Sequence, residues 1–323
     1  VIVLGVEEDD DGWRVIGLPN PDQTLKTFWN GVRNRELVNV CIVSDQHVRL
    51  VDIDGDTVLA IEVPRARRQD RPVYRGSNPI TGTYRRNHEG DYTCTPDEVK
   101  RMLAEQSGVS LDTTILENFT TDDLDMASIQ QFRQRWASRA PDHPFLSMDN
   151  EEFLRNIGAY RTDRDSGREG ITIAGLLMFG KSNAIRDPSG VPSFQLDYRE
   201  FMSDSPDDRW TDRVDYDGTW ECNLFQFVER VLPKLTANAP VHFQLQADMS
   251  RGGDSLVKEA LREAFVNALI HADYRGQGGV VVERHRDRDK FSNPGTLLFS
   301  VDQIYAGTVS ECRNKTLQQM FAF

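Results

Sequence analysis

Cysteine is scarce in this sequence. Four residues in 323 (Cys41, Cys94, Cys222, Cys312) lie far apart, with no CxxC pair and no histidine at metal-ligand spacing. That pattern excludes a disulfide scaffold and a zinc ribbon, and it gives reduced thiols and a cytoplasmic location as the expectation. Long hydrophobic runs are missing too. The longest nearly apolar stretch, Ile171 to Gly180, has ten residues, against the roughly 20 that a bilayer helix requires, so no membrane partner is expected. No basic leader with a cleavage site opens the chain. It starts on a strand-like run, Val1-Ile-Val-Leu-Gly-Val6, and so reads as a fragment whose first elements are missing. Positive charge is in deficit: 38 Lys and Arg stand against 51 Asp and Glu, for a net charge of −13. A uniformly acidic surface of that kind would repel nucleic acid.

What is present points to more than one domain, since 323 residues exceed the roughly 250–300 at which a single core stops growing. The expected class is α+β. Residues 1–106 read as the first domain, strand-rich over 1–93, with strands at Val1–Val6, Trp13–Gly17, Val38–Val43, His47–Ile53 and Thr57–Val63, and an amphipathic helix over Asp22–Val32. Asp54-Gly55-Asp56 is a hairpin turn. Thr95-Pro96-Asp97-Glu98 starts a helix that ends near Gln106, with a hydroxyl cap, a proline in the first turn and acids at the positive dipole end. Residues 107–185 read as a mainly helical connecting region. Residues 186–323 then alternate strands (Ser193–Tyr198, Val241–Gln246, Gly279–Arg284) with helices (Asn223–Leu235, Ser255–Ala272).

The charge is unevenly placed. Between Pro64 and Asn87, seven arginines (Arg65, Arg67, Arg68, Arg71, Arg75, Arg85, Arg86) face the single Asp70, so this window carries +6 and the rest of the chain −19. Arginine suits bidentate phosphate contact, and Tyr74 and Tyr84 are interleaved as stacking groups. A nucleic-acid footprint and a solvated hairpin in an acidic surface are both open on this window alone. The order Leu59-Ala-Ile-Glu-Val63, Arg71-Pro-Val-Tyr74, Thr83-Tyr-Arg-Arg86 and the helix Thr95–Leu103 resembles the Schlafen AlbA-type DNA-binding domain. The resemblance covers about residues 1–105 and implies an AlbA-like α/β domain with DNA as its partner. Some Schlafen relatives are nucleases, but no matching acid cluster is assigned here.

Gly175-Leu-Leu-Met-Phe-Gly180-Lys181-Ser182 fits the Walker A expression letter for letter. The mechanism behind that expression needs a flexible loop feeding a helix N-terminus. Four bulky apolar residues fit a buried helix better, with Gly180 at its C-terminal end. Only Asn183-Ala-Ile-Arg separates the match from Asp187-Pro188, which leaves little room for the following helix.

A second helix carries polar residues in register. Leu256, Val257, Ala260, Leu261, Ala264, Phe265, Ala268 and Leu269 make an apolar face, and Asp254 or Ser255 would cap it. Glu259, Glu263, Asn267 and His271 recur every four residues on another face, so neighbours converge on one ligand or form a solvated stripe. Leu261-Arg-Glu-Ala-Phe-Val-Asn-Ala-Leu-Ile-His-Ala-Asp-Tyr274, followed by Phe291-Ser-Asn-Pro-Gly295, resembles the GHKL-type ATPase module of RecG-related transcriptional regulators. Thr172–Lys181 resembles a segment of the same regulators. The resemblance implies a GHKL-like α/β sandwich binding ATP and Mg²⁺. Glu263 takes the place of the general base and Asn267 that of the metal-coordinating asparagine. Asn293 and Gly295 stand at the adenine-binding motif, with asparagine where the family has aspartate. The glycine-rich lid has no counterpart before Phe323, so the module reads as truncated at that end. Tyr274, Arg275, Arg313 and Asn314 border the same site, and His271 reads as a helix-end cap.

Three functions follow. One is a DNA-binding transcriptional regulator with an ATP-binding sensor module, in which a homodimer is left open. The second is an enzyme, either an ATP hydrolase or a Schlafen-like nuclease. The third is a non-catalytic scaffold whose nucleotide site has degenerated.

Overall fold

The computed structural model describes residues 1–9, 12–87, 90–106, 110–203, 209–237, 256–298 and 312–322. It is mixed α+β, with small sheets. Its contacts divide it into two compact units, Val1–Val109 with Leu298–Val309, and Ser110–Leu297 with Ser310–Phe323.

The first unit contains β1 (Ile2–Leu4), β2 (Val6–Asp9), β3 (Gly12–Val15), α1 (Pro21–Arg33), β4 (Val48–Ile53), β5 (Asp56–Ile61), α2 (Pro79–Gly82), β6 (Tyr84–Asn87), β7 (Gly90–Thr93) and α3 (Pro96–Gln106). Strands β1, β5 and β4 form an antiparallel sheet in that order, and β2–β3 and β6–β7 are separate hairpins. Asp54 and Gly55, both with positive φ, make the tight turn between β4 and β5. At the start of α3, Glu98 N donates to Thr95 Oγ1 at 3.3 Å and Thr95 N donates back to Glu98 Oε2 at 2.8 Å, a reciprocal capping box. Leu59, Ile61, Val58 and Val99 are its most buried apolar residues.

The strand expected over Val38–Val43 is irregular apart from a bridge between Val38 and Arg75. Asn39 explains the difference. Its side chain accepts from Tyr74 N at 2.7 Å and donates to Pro72 O at 3.1 Å, supplying through a carboxamide the pairing that a strand would take from a neighbour's backbone.

The second unit contains α4 (Met126–Arg139), α5 (Asn150–Asn156), β8 (Tyr160–Thr162), β9 (Glu169–Ile171), α6 (Ile173–Phe179), α7 (Ser182–Ile185), β10 (Leu196–Phe201), β11 (Asp212–Val214), α8 (Leu224–Thr236), α9 (Leu256–Ile270), β12 (Val280–His285), β13 (Asp289–Ser292) and α10 (Lys315–Phe321). The main sheet runs β11-β10-β12-β13, with β10 and β12 parallel and both outer pairs antiparallel. Leu196 and Tyr198 pair with Val280 and Val282 on one face and are buried in the core. The other face carries Asp197, fully buried beneath Arg199 and Arg213, both of which donate to it. The core is continuous: Phe153, Phe179, Phe227 and Phe265 all belong to it, on both sides of residue 185. All seven residues of α6 are buried, so the segment before 185 is part of the core's interior rather than a connector. The strand expected at Val241–Gln246 and the caps Asp254 and Ser255 lie outside the described residues.

Gly175 to Phe179, the body of the Walker-like match, sits inside α6. Thr172 Oγ1 caps that helix by accepting from Gly175 N at 3.1 Å, and Gly180 closes it. A Cβ on Gly175 would stand 2.2 Å from Ala159 O, so this glycine serves a close backbone approach, and no phosphate loop exists here.

Candidate nucleic-acid interface and nucleotide site

The seven arginines of the first unit are not equivalent. Arg65, Arg67, Arg75, Arg85 and Arg86 are exposed, whereas Arg68 and Arg71 are half-buried. Arg68 Nε donates to Glu105 O at 2.7 Å, and Arg71 Nε donates to Ala66 O at 2.8 Å. Burial, and then repulsion from Arg65, hold the Arg71 guanidinium below its usual range. Arg67 pairs with Asp70 at 2.7 Å, Arg86 with Asp91 at 3.3 Å and Arg85 with Glu98. Strands β6 and β7 pair antiparallel, and their register sets Arg85 opposite Tyr92 and Arg86 opposite Asp91. Tyr84 and Tyr92 are 53% and 60% exposed, a high value for an aromatic ring. The hairpin therefore presents Arg86 with Tyr84 on one face and Arg85 with Tyr92 on the other, the Tyr92 ring lying over Gly90. Tyr92 was not singled out in the sequence; the alternation Gly90-Asp-Tyr-Thr93 is the signal that places it there.

In the second unit, α9 presents Glu263 and Asn267 to solvent, one turn apart, while Phe265, Ala268 and Leu269 bury its opposite side. Asn293 Nδ2 donates to Ala268 O at 3.0 Å, which fixes the amide orientation and leaves Oδ1 as the outward acceptor. Asp273 N donates to Pro294 O at 2.8 Å, so the loop after β13 lies against the end of α9. Gly295 has φ of 116°, and a Cβ there would stand 3.0 Å from Asp273 Cβ. Backbone geometry and space both call for glycine. Arg313 then ties the site together, donating from Nε to His271 O at 3.2 Å and from Nη2 to Thr296 O at 2.8 Å. Asn314 Nδ2 donates to the Ile270 and Ala272 carbonyls at 2.9 and 2.8 Å, capping the helix that ends there.

The structure thus gathers Asn293, Gly295, Asp273, Arg313 and Asn314 at the C-terminal end of α9, with Asn267 and Glu263 one and two turns up the same helix. His271 belongs to that end too; burial and the nearby Arg313 lower its pKa. Tyr274 is buried, and its hydroxyl donates to Leu269 O at 2.8 Å, which makes it a structural brace. Arg275 is exposed. Asp273 was missed in the sequence, although a carboxylate between Ala272 and Tyr274 at a helix end is a visible anomaly. Among the described residues, no group of three or more His, Cys, Asp or Glu is placed to hold a metal ion, and no helix is long and apolar enough to cross a membrane.

Comparisons with known proteins add limited likenesses. Residues 100–197 match a family described as a domain of unknown function, DUF8451. Curated proteins give no match. Among solved structures, the chain is similar over 99% of its length to the DIP2311 protein of Corynebacterium diphtheriae, with 19% identity and a TM-score of 0.45. It is also similar, over 29% of its length, to the N-terminal domain of a RecG-related protein from Nitrosomonas europaea, with 28% identity and a TM-score of 0.22. The chain spans 48% of the first of those structures and 62% of the second.

Proposed function

We propose that this chain is a DNA-binding regulator, whose first unit contacts the phosphate backbone through Arg65, Arg67, Arg68, Arg71, Arg75, Arg85 and Arg86, and whose second unit is a GHKL-like nucleotide sensor. The observation that carries the DNA reading is the β6–β7 hairpin, where Arg85 and Arg86 stand beside the exposed rings of Tyr84 and Tyr92. Exposed ion pairs such as Arg86–Asp91 are worth about 1 kcal/mol or less, so a phosphate can replace the carboxylate at little cost. The sensor reading rests on the donor set at the end of α9. Asn293 offers Oδ1 to an adenine amino group, Gly295 keeps the wall open, and Asn267 supplies a hard oxygen for Mg²⁺. Bound ATP·Mg²⁺ would bring the phosphoanhydride and a metal-polarised phosphate; Glu263 is the base for an attacking water if turnover occurs.

Filter binding of a duplex across a salt series tests the first half. A steep log–log slope that Arg85→Gln and Arg86→Gln together flatten by about 2 is expected, and a salt-insensitive or absent complex would refute it. Thermal unfolding with ATP and Mg²⁺ tests the second half. Nucleotide at 100 times Kd adds about 2.7 kcal/mol, and no shift would leave the degenerate scaffold.

A further inference from the structure

We infer that the second unit holds a site for a free α-amino acid with an aromatic side chain, in a cavity where β11 stops short of the start of β10. Strand β11 covers only Tyr198 to Glu200 of β10. Leu196 and Asp197 pair with β12 on one side and have no β11 residue on the other. The notch this leaves is a cavity of about 380 Å³, with Arg186, Ser193, Phe194, Gln195, Asp215 and Tyr216 in its lining. Small-molecule sites run from about 300 to 1,000 Å³, and a void of roughly 150 Å³ accepts benzene, so a ring and its head group both have room.

The charges in that lining define the head group. Arg186 donates to Ser182 O at 3.4 Å and to Ser182 Oγ, and its guanidinium lies 4.3 Å from the centre of the Tyr216 ring. Its other neighbour is the Cys222 thiol, which burial pushes up to about 11 and so keeps neutral. None of these is an anion, and among the described residues Arg186 makes no ion pair. The acids nearest in sequence are engaged elsewhere: Asp187 Oδ1 accepts from Ser189 N at 2.7 Å, and Asp217 Oδ1 accepts from Thr219 Oγ1 at 2.7 Å. A carboxylate is the group that a planar guanidinium of this kind takes best. Asp215 is the counterpart. Arg213 pairs with its Oδ2 at 3.1 Å while also holding Asp197 at 3.0 Å, which leaves Asp215 Oδ1 as an acceptor for an ammonium. Asp215 immediately precedes the ring on which Arg186 rests, so the two charged groups are neighbours and suit a carboxylate and an ammonium borne on one carbon. Phe194 and Tyr216 offer aromatic surface to a ring beside that carbon. None of the lining residues belongs to the site at the end of α9, so the inference stands whether or not that site takes nucleotide.

L-Phenylalanine, 3-phenylpropionate and phenethylamine titrated calorimetrically into the full chain provide the test, since the second lacks the ammonium and the third the carboxylate. Saturable binding of phenylalanine is expected, with each truncated form weaker by about tenfold or more, the worth of one charge-assisted contact. Arg186→Gln should weaken phenylalanine and phenylpropionate by a similar factor and leave phenethylamine unchanged. Asp215→Asn, which keeps an oxygen for Arg213, should weaken phenylalanine and phenethylamine and leave phenylpropionate unchanged. Gln195→Trp, at an exposed position, fills the cavity and should abolish binding of all three. No saturable binding of phenylalanine, phenylpropionate binding as tightly as phenylalanine, or losses that do not divide by head group in variants retaining the parent's Tm would each overturn the assignment.

Discussion

Asp112 offers the sharpest test of how the second unit is held together. It is fully buried and lies about 200 positions before the helix it serves. Thr316 N and Leu317 N, in the first turn of α10, donate to its Oδ2 at 2.9 and 3.0 Å, and Thr316 Oγ1 donates to Oδ1 at 3.3 Å. Lys315 N donates to Ser110 Oγ at 3.0 Å, and that hydroxyl has its own proton for Asp112 Oδ1 at 2.5 Å or Arg313 O at 2.8 Å. Every backbone donor in the first turn of α10 is thus satisfied from the start of the same unit. Asp112→Ala removes the acceptor for two buried N–H groups, at about 1–3 kcal/mol each, or about 4 kcal/mol together. For a unit of this size that lowers Tm by about 10 °C. Asp112→Asn keeps one oxygen and loses the charge assistance, so it should cost about 1–2 kcal/mol. Burial outweighs the donors and raises the Asp112 pKa. Between the ordinary carboxylate value and that raised value the folded state binds more protons, so this residue's contribution to stability falls as pH rises through the window. Acid should therefore not unfold the unit through Asp112, and the Asp112→Asn curve should be flatter there. Thermal unfolding followed by circular dichroism, with hydrogen exchange at Thr316 and Leu317, measures both effects. An Asp112→Ala variant within about 0.5 kcal/mol of the parent, with those amides still protected, would refute the reasoning.

Gly175→Ala should destabilise the second unit by about 1–3 kcal/mol, because the added methyl meets Ala159 O at 2.2 Å; Lys181→Ala, at an exposed position, should leave both stability and nucleotide binding unchanged in the same thermal-shift assay. Gly295→Ala should cost about 1–3 kcal/mol through its positive φ and the contact with Asp273, and should remove any stabilisation by ATP. Burial pushes the Cys222 and Cys312 thiols up to about 11, and raises that of Cys94 too, whereas Cys41 is exposed. At pH 8 the native protein should therefore yield one fast thiol to a disulfide reagent and four in denaturant; two or more fast thiols would contradict the buried placements.

Local chemistry made much of this legible in the sequence. The helices α1, α3, α6 and α8 follow from caps and apolar patterning, and the β4–β5 turn follows from Asp54-Gly55, because each signal lies within a few residues of its effect. The side chains Leu-Leu-Met-Phe were enough to place the Walker-like match in a helix. What could not be read was long-range. The carboxamide of Asn39 replaces a strand by reaching residues more than thirty positions away, and Asp112 meets α10 some two hundred positions later. At the candidate nucleotide site, the spacing in α9 gave the stripe Glu259, Glu263, Asn267 and His271, and the resemblance singled out Glu263 and Asn267. The closure of Arg313 onto His271 O and Thr296 O depends on the fold, and no local pattern announces it.

The pairing of the arginines limits how strongly the first unit can hold a polyanion. If all seven released a condensed counterion, the salt slope would be about −6 on a logarithmic scale, and if the three facing Asp70, Asp91 and Glu98 kept their carboxylates it would be about −4. Exchange is favoured by the exposure of Arg67, Arg85 and Arg86, but each displaced carboxylate stays within a few ångströms of the incoming phosphate and repels it. The two effects nearly cancel in affinity and differ in salt dependence, since only exchange adds counterion release. The acidic remainder of the chain adds a repulsion that acts over about 10 Å at 0.1 M salt. Tyr84 and Tyr92 lie on opposite faces of the β6–β7 ribbon, since Tyr92 stands opposite Arg85 and Tyr84 opposite Thr93, so each ring meets a base on its own side beside one arginine. A single strand, whose unpaired bases are free to stack on either ring, should bind more tightly than a duplex of the same length, whose bases are already stacked. Equal affinity for both forms would place the contact on the remaining arginines instead of the hairpin.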